Sequence, residues 1–427
     1  MLRKRLLILS IPLQLLLMVT SALSSQGAGL TIRDCLVLAE KNNHTLKLAS
    51  HDSAIQLENV KVAEGSYFPR LDLQAGYSTL MEPQAMKVGT TSIDTQQSAF
   101  PFASVGLYQT LYDFGRRGSR KEQASLQESA VRAGTAAVRQ DVSLQVVRAY
   151  YGILESNSFV AIAKDEVSQR EQHLKIATAL FEEGVTTKND LLQAEVKLAG
   201  SRQRLLAENS RLTNSWLLLN YLTGNPANFR ATLGDEGNIE HVTVKSYKDA
   251  LDKRDEIAAQ KLMVSSAESF AKESRDEFFP ELFLKASVDY LKNDKVVEQA
   301  MVGATVGIKM NLFDGMATTA RQRQAVKLLE KEKERLRGME ETYLLEMEAA
   351  RNDMDVALER IEVSKAAIRQ SEENLRINDD RYKAQVGTAT EVIDAQTLLS
   401  QARNDNSQAI FDYQVAKARL KRAMGEL

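Results

Sequence analysis

Cysteine is almost absent from this 427-residue chain. Cys35 stands alone, which excludes an intramolecular disulfide and a thiolate metal cluster. Four scattered histidines (His44, His51, His173, His241) show no metal-ligand spacing. There are six prolines and one tryptophan. No proline falls in residues 102–225 or after Pro280, so two stretches lack the residue that breaks helices. Charged residues make up 26% of the chain and mean hydropathy is −0.30, which rules out a bundle of membrane-spanning helices. A formal charge of −2 gives no case for a nucleic-acid partner. No HExxH, G-x-S-x-G or phosphate-loop sequence is present, so an enzyme is disfavoured and neither cofactor nor metal is expected.

The one long apolar run is residues 6–19, preceded by Arg3, Lys4 and Arg5 and followed by Thr20-Ser21-Ala22. This reads as a signal peptide over residues 1–22. Pro12 and Gln14 interrupt the run, which is short for a spanning helix. Removing the three cations leaves 52 basic (55 − 3) against 57 acidic groups, a charge of −5. Cys35 lies well past the run and follows Asp34. It is not placed like a lipidated cysteine, so no lipid anchor is expected, and a buried core role suits it better than reactivity.

The remaining chain is written twice. Tyr67-Phe68-Pro69 recurs as Phe278-Phe279-Pro280, an offset of 211. Leu111-Tyr112-Asp113-Phe114-Gly115 recurs as Leu312-Phe313-Asp314-Gly315, with the aspartates 201 apart. Residues 181–187 match 382–388, also 201 apart. The ten-residue loss belongs in a loop. Thr31-x-x-Asp34 and Ser246-x-x-Asp249 both resemble capping boxes. Residues 23–226 and 246–427 therefore form two repeats, joined by a turn-rich linker over 227–245. Each is expected to run helix, strand, loop, strand, long helix, turn, long helix.

Strands are expected near 70–80, 102–112, 281–290 and 302–312. The last alternates strictly: Val302, Ala304, Val306 and Ile308 share one face, and Gly303, Thr305, Gly307 and Lys309 the other. Leu71 and Leu73 oppose Asp72 and Gln74; Val105 and Leu107 continue less cleanly because Gln109 breaks the face. Leu282 and Leu284 carry the pattern in the third strand. Each strand is about as long as a tilted strand must be to cross a bilayer. Residues 67–114 and 278–313 hold 13 of the 26 aromatics, a concentration that interfacial girdles of a membrane barrel would explain. Pattern alone also admits a small soluble sandwich. Four strands cannot close a membrane barrel, since known barrels start at about eight. An unclosed sheet would expose backbone polar groups to lipid. If these strands span a membrane, several copies must share one barrel.

Two heptad ladders occupy the proline-free stretches. Val146, Ile153, Val160, Val167, Leu174 and Phe181 lie 201 residues before Met347, Met354, Ile361, Ile368, Leu375 and Tyr382. A sustained seven-residue period implies helices wound around partners. After each turn a second ladder begins: Leu191, Leu198, Leu205, Leu212 and Leu219 in one half, and Ala395, Ala402, Ala409, Ala416 and Ala423 in the other. The hairpin tips are expected at 184–190 and 386–391, where Gly184 and Gly387 can end a helix at low cost. Asp190, Glu391 and Asp394 sit just past the tips. Copied around an oligomer axis, such acids would form a ring that attracts cations. As single residues they would cap the helices that follow.

The duplicated plan, the two strand exits and the Val386-Gly387-Thr388 tip with Glu391-Val392-Ile393-Asp394-Ala395 resemble the TolC-like outer-membrane factor family over nearly the whole mature chain. The resemblance implies a mainly α fold with a membrane β-barrel portion. Three chains would share a 12-stranded β-barrel and a long coiled-coil α-helical barrel, in the outer membrane of a Gram-negative bacterium with the helical part in the periplasm. It implies a homotrimer that docks a periplasmic adaptor and an inner-membrane transporter of RND, ABC or MFS type. Glu391 and Asp394 match the family's acidic entrance pair. Gly184, Val185, Thr186, Val386, Gly387 and Thr388 would meet the adaptor. Leu71, Leu73, Val105, Leu107, Leu282, Leu284, Val302, Val306 and Ile308 would face lipid.

There are departures. Asn43-His44 stands where the family often has Asn-Pro, so no proline bends the chain there. Arg254-Asp255-Glu256-Ile257 stands for Arg-Pro-Asp/Glu-Leu, and Ala389 replaces the arginine after Gly-Thr. The alternative from another class is an exported structural coiled-coil protein without a pore. A periplasmic adaptor would show one hairpin between β-rich flanks, and this chain shows two.

Overall fold

The structure, a computed structural model, describes residues 29–234, 247–295 and 297–427. The expected signal peptide, Ser246 of the second capping box and residues 235–245 of the linker lie outside them. In chain order the elements are α1 (Ile32–Asn42), α2 (His44–Gly65), β1 (Arg70–Thr79), β2 (Ala85–Val88), β3 (Thr91–Asp94), β4 (Ala99–Tyr112), α3 (Arg116–Glu182), α4 (Lys188–Thr223), α5 (Tyr247–Lys253), α6 (Asp255–Asp276), β5 (Glu281–Leu291), β6 (Ala300–Lys309), α7 (Ala317–Lys383) and α8 (Ala389–Ala423).

Two unbroken 67-residue helices, α3 and α7, set the shape. Each runs on the order of 100 Å at ~1.5 Å per residue. The first three steps of each heptad ladder are buried stripes; toward the tips Val167, Leu174, Ile368 and Leu375 are half-buried, Tyr382 is buried and Phe181 is exposed. Val146, Ile153 and Val160 are buried on α3, and Met347, Met354 and Ile361 on α7. The five alanines of the α8 ladder are all buried, and small side chains there let α8 pack closely on α7. Near the sheet the helices neighbour one another in the order α2, α3, α6, α7; beyond it the order is α4, α3, α8, α7. The wall is four helices wide and has two uncovered flanks. The helices at both edges carry exposed apolar side chains: Val62 on α2 and Val196 and Leu206 on α4 at one edge, Leu345 and Val363 on α7 at the other.

The chain breaks its helices at Asn43 and Arg254 without proline. Asn43 (φ −61°, ψ 130°) stops α1, and its Oδ1 accepts from the backbone N–H groups of Thr45 and Leu46 at 2.8 and 3.3 Å. Arg254 (φ −73°, ψ 125°) precedes α6 in the same extended conformation. At Asn43 a side chain that satisfies the orphan donors of the next helix bends the chain as a proline would; Arg254 makes no such cap. The absence of proline therefore did not predict a straight segment. Cys35 is a fully buried core residue, its thiol pushed up to about 12 by burial.

The four long strands form one antiparallel sheet in the order β1-β4-β5-β6. The β4–β5 pairing stitches the two halves together. β1 and β6 are edges, each with one side unpaired among the described residues. The strand expected over 302–312 covers Ala300–Lys309, because β5 begins at Glu281, opposite Lys309, and offers nothing to Met310. At the exits, Asp113 Oδ2 accepts from the Arg117 N–H at 3.0 Å and Asp314 Oδ2 from the Thr318 N–H at 2.9 Å. Both exits use two consecutive left-handed residues: Phe114 and Gly115 (φ +55° and +98°), then Gly315 and Met316 (φ +68° and +69°). This double left-handed corner turns each strand into the long helix.

Candidate functional sites at the two ends of the rod

At the sheet end, strand register decides which side chains share a face. Leu71 pairs with Leu107 and Leu73 with Val105. Val105 pairs with Val288. Leu282 pairs with Ile308, Leu284 with Val306 and Val288 with Val302. All nine candidate lipid-facing residues thus lie on one apolar face, joined by Val288 and Ala286. The opposite face is polar. There Asp289 accepts from Ser104 Oγ at 2.5 Å and Ser287 Oγ at 2.7 Å, and Asp72, Gln74, Tyr108 and Lys285 line the same cleft of about 390 Å³. A sheet apolar on one side and polar on the other suits a wall between lipid and water.

Gln109, which interrupts the apolar alternation, lies next to a register shift between Thr110 and Tyr112. Its Nε2 donates to the carbonyls of Tyr67 and Thr110 at 3.1 and 2.9 Å, so its amide serves the backbone at the helix end of the sheet. Aromatics collect at that end, where Phe114 stacks on Phe279 and meets Tyr112 edge-on, with centroids 5.2 and 4.9 Å apart. Tyr77 and Tyr290 are exposed toward the far end. Periodicity did not reveal one feature of the polar face. A Cβ at Gly76 or at Gly307 would come within 2.9 Å of the ring of Phe102 or Phe283. Each ring covers a glycine on an edge strand, the arrangement that restores packing where glycine offers no side chain. The repeated Phe and Gly were visible, but only register pairs them.

The other end carries the hairpin tips. In the first, Gly184 is left-handed (φ +73°), and the N–H of Val185 reaches the Leu180 carbonyl at 2.8 Å. In the second, Val386 N–H reaches the Arg381 carbonyl at 3.0 Å, but the left-handed residue is Gln385 (φ +61°). Gly387 does not end the helix. It is a close approach, where a Cβ would lie 3.1 Å from Arg381 Cβ and 3.2 Å from the Tyr382 nitrogen. Val185 and Val386 are exposed at the two tips.

The three candidate acids differ. Asp190 and Glu391 each close a capping box, with Thr187 and Thr388. Asp190 Oδ2 also accepts from Thr186 Oγ1 at 2.8 Å, and these threonine hydroxyls hold its carboxyl below the usual aspartate value. The Thr388 N–H does the same for Glu391, with Arg381 3.5 Å away. Asp394 is exposed and makes no hydrogen bond or ion pair among the described residues. Only Asp394 is thus free of a helix-capping duty. Sequence reasoning missed Arg170, which is buried and clamps α3 to α8. Its Nη1 donates to Gln396 Oε1 at 2.8 Å and its Nη2 to Thr397 Oγ1 at 2.9 Å. No described helix is long and apolar enough to cross a membrane, and no described group of residues could hold a metal ion.

The comparisons with known proteins agree with this geometry. The model of the outer membrane efflux protein family matches residues 35–225 and 246–426. The chain belongs to that family. Among family relatives, the outer membrane protein TolC of Vibrio cholerae is 23% identical over 406 residues, which cover 91% of this chain and 89% of TolC. AprF of Pseudomonas aeruginosa, an alkaline protease secretion protein, is 24% identical, covering 76% of this chain and 69% of AprF. Among solved structures, VceC, an outer membrane protein of Vibrio cholerae, superimposes with a TM-score of 0.78 at 18% identity, covering 92% of this chain and 96% of VceC. A membrane protein of Pseudomonas aeruginosa gives a TM-score of 0.82 at 18% identity, covering 92% and 93%. The chain thus has the fold of the TolC-like channels, a helical rod carrying a share of a β-barrel.

Proposed function

We propose that three copies of this chain form a passive tunnel through the outer membrane of a Gram-negative bacterium, taking cargo from an inner-membrane transporter through a periplasmic adaptor. The observation that carries this reading is the four-stranded sheet at the end of the rod, with one continuous apolar face and two unpaired edges. Edges of that kind need partners in lipid, where each unpaired backbone group costs several kcal/mol. Two copies would give eight strands, a barrel whose interior side chains fill. Three give twelve, enough for an aqueous lumen lined by the polar face of the sheet. The exposed apolar side chains on the edge helices support the same closure. The α2–α4 flank of one copy would meet the α7 flank of the next, a head-to-tail contact that closes a ring when the rotation allows.

In this assembly Gly184, Val185, Thr186, Val386, Gly387 and Thr388 meet the adaptor at the tips, and Asp394 lines the aperture. The family includes secretion and drug-efflux channels, and type I secretion and drug efflux are both compatible with a polar tunnel. Planar-bilayer recording tests the reading: purified folded protein should insert as long-lived channels. Folded, non-aggregated protein that gives no channels would return the case to a coiled-coil scaffold.

A further inference from the structure

Four buried polar atoms without a hydrogen-bond partner gather near the tips: Gln169 Oε1, Arg170 Nε, His173 Nε2 and Tyr382 Oη. Buried polar groups are normally satisfied, so such a cluster calls for an explanation. They lie where α3 meets the α7–α8 hairpin. Arg170 rivets this seam through Gln396 and Thr397. One turn further on, His173 is 3% exposed, and its ring centroid lies 5.3 Å from that of Tyr382. A cavity of about 370 Å³ opens beside them, bordered by Gln169 and His173 of α3, Leu375 of α7, and Gln396 and Leu399 of α8.

The charges around His173 decide what a proton there would meet. On α3 itself the nearest is the Arg170 guanidinium, with Glu166 beyond it, 3.7 Å from Arg170 and also held by Arg204. From α7, Asp379 is held by Lys383 at 2.5 Å, and Arg376 lies between Glu373 and Asp380. Across the cavity, Glu372 of α7 is held by Arg403 of α8 at 3.1 Å. Asp190 of α4 bears on Tyr382 rather than on the histidine. Every acid facing the cavity already has a cation, and a second positive charge would arise beside a buried arginine. Burial first, then Arg170, hold the imidazole below its ordinary value near 6.5, with Asp379 opposing.

We propose that this seam is a proton-operated latch: protonation of His173 loosens the α7–α8 hairpin from α3 within each chain, and the adjoining cavity gives the ring room to turn toward water. Widening of the aperture as a consequence rests on the tunnel reading above; the loosening itself does not. The sign follows from linkage. The closed seam binds the proton less readily than the open one, so opening becomes more favourable as pH falls below about 6.5. One proton taken up on opening changes the opening constant by at most about tenfold per pH unit. The other described histidines, His44 and His51, are exposed on α2, near the sheet end, and report as an internal control.

The test is hydrogen exchange of the full-length oligomer in detergent at about pH 7.5 and about pH 5.5, corrected for the intrinsic pH dependence of exchange. Wild-type protein should show several-fold more opening at the lower pH in peptides spanning 170–182 and 379–397, with peptides from α2 unchanged. The H173Q variant keeps a neutral hydrogen-bonding side chain and should lose that response; H173N repeats the comparison should H173Q fail to assemble. A response of equal size in wild type and the neutral variants, or no response in wild type, overturns the latch. Channel recordings on the same preparations are read separately: absent conductance with an intact exchange response sinks the tunnel and leaves the latch standing.

Discussion

Asn43 and Arg254 perform one structural task in the two halves of the chain. Asn43 Nδ2 donates to the Leu222 carbonyl at 3.0 Å, and Arg254 Nη1 donates to the Ala423 carbonyl at 2.9 Å. The donors are 211 residues apart and the acceptors 201, the same two offsets that relate the strands and the tips. Each donor stands at a helix break and ties it to the end of the fourth helix of its half, where Gly224 and Gly425 turn left-handed at φ +72° and +73°. The chemistry differs. The amide also caps α2, whereas the guanidinium lies 3.7 Å over the Tyr343 ring and pairs with Glu256 and Glu346.

That difference sets the costs of substitution. Asn43→Ala removes a helix cap and a buried hydrogen bond and should cost about 1–3 kcal/mol. Arg254→Ala removes a cation buried among two acids and a carbonyl and should cost more, about 3–5 kcal/mol. Arg254→Lys should recover little of it, because the planar fork and its ring stacking are lost. Urea unfolding of the three variants would check this ranking; a lysine variant as stable as wild type would contradict it.

Much of the architecture was legible in the sequence because it rests on periodicity. Period seven marked Val146, Ile153, Met347 and Met354 as seams, and period two marked the face shared by Val302, Val306 and Ile308. What stayed hidden depends on contacts between distant segments. The Asn43 break needs a carbonyl 179 residues away. Arg170 meets α8 only after 223 residues of chain return to it. Gly387 resembles a helix terminator in sequence, and only the turn's geometry gives the left-handed role to Gln385. Two of the three tip acids turned out to be helix caps as well, which a single sequence could not separate from a lumenal role.

Met316 is the one left-handed residue in the two strand exits with neither a glycine's freedom nor the ring packing of Phe114. Gly115, at the equivalent position in the first half, adopts φ +98°. Met316→Gly should therefore be neutral or stabilise the fold by up to about 1 kcal/mol, whereas Gly115→Ala should destabilise it by about 1–2 kcal/mol. Thermal unfolding of the oligomer would check both signs. A loss of stability in Met316→Gly would mean that the exposed methionine packs against another subunit.

The two faces of the sheet can be probed with neighbouring residues. Val306 lies on the apolar face and Thr305 on the polar one. Val306→Lys should cost about 2–4 kcal/mol if that position lies near the bilayer midplane. Thr305→Lys should be tolerated. Folding yield into vesicles, read from heat-modifiable migration, would distinguish them. Equal tolerance would argue that the apolar face does not meet lipid.

The acids at the tips should separate by assay. Asp394→Ala should alter cation selectivity or divalent block with little effect on stability; unchanged conductance and selectivity would remove Asp394 from the lumen. Asp190 and Glu391 should act instead through their caps. Both have folded-state values below their ordinary ones of 3.8 and 4.5, so their contribution is fully present above those values and fades as pH falls through the lower folded values. Amide exchange should therefore gain no contribution from cap loss until pH drops below about 4.5 at residues 388–392 and below about 3.8 at residues 187–191. A rise in cap opening nearer neutrality would mean that another group governs the tips.

Gly387 tests the proposed docking role of the tips most sharply, because its backbone sits against Arg381 and Tyr382 with little room for a side chain. An alanine Cβ would sit 3.1 Å from Arg381 Cβ and 3.2 Å from the Tyr382 nitrogen, tighter than ordinary van der Waals contact. Gly387→Ala should thus shift the turn by a few tenths of an ångström and disturb the exposed Val386 beside it. Gly387→Leu should go further. Neither change touches the sheet or the heptad seams, so oligomer levels should stay near wild type while export through the complete system falls, more for leucine than for alanine. Cross-linking from Val386 to the adaptor should fall in parallel. Full export and full cross-linking in Gly387→Leu, at normal oligomer levels, would show that the adaptor engages another part of the rod.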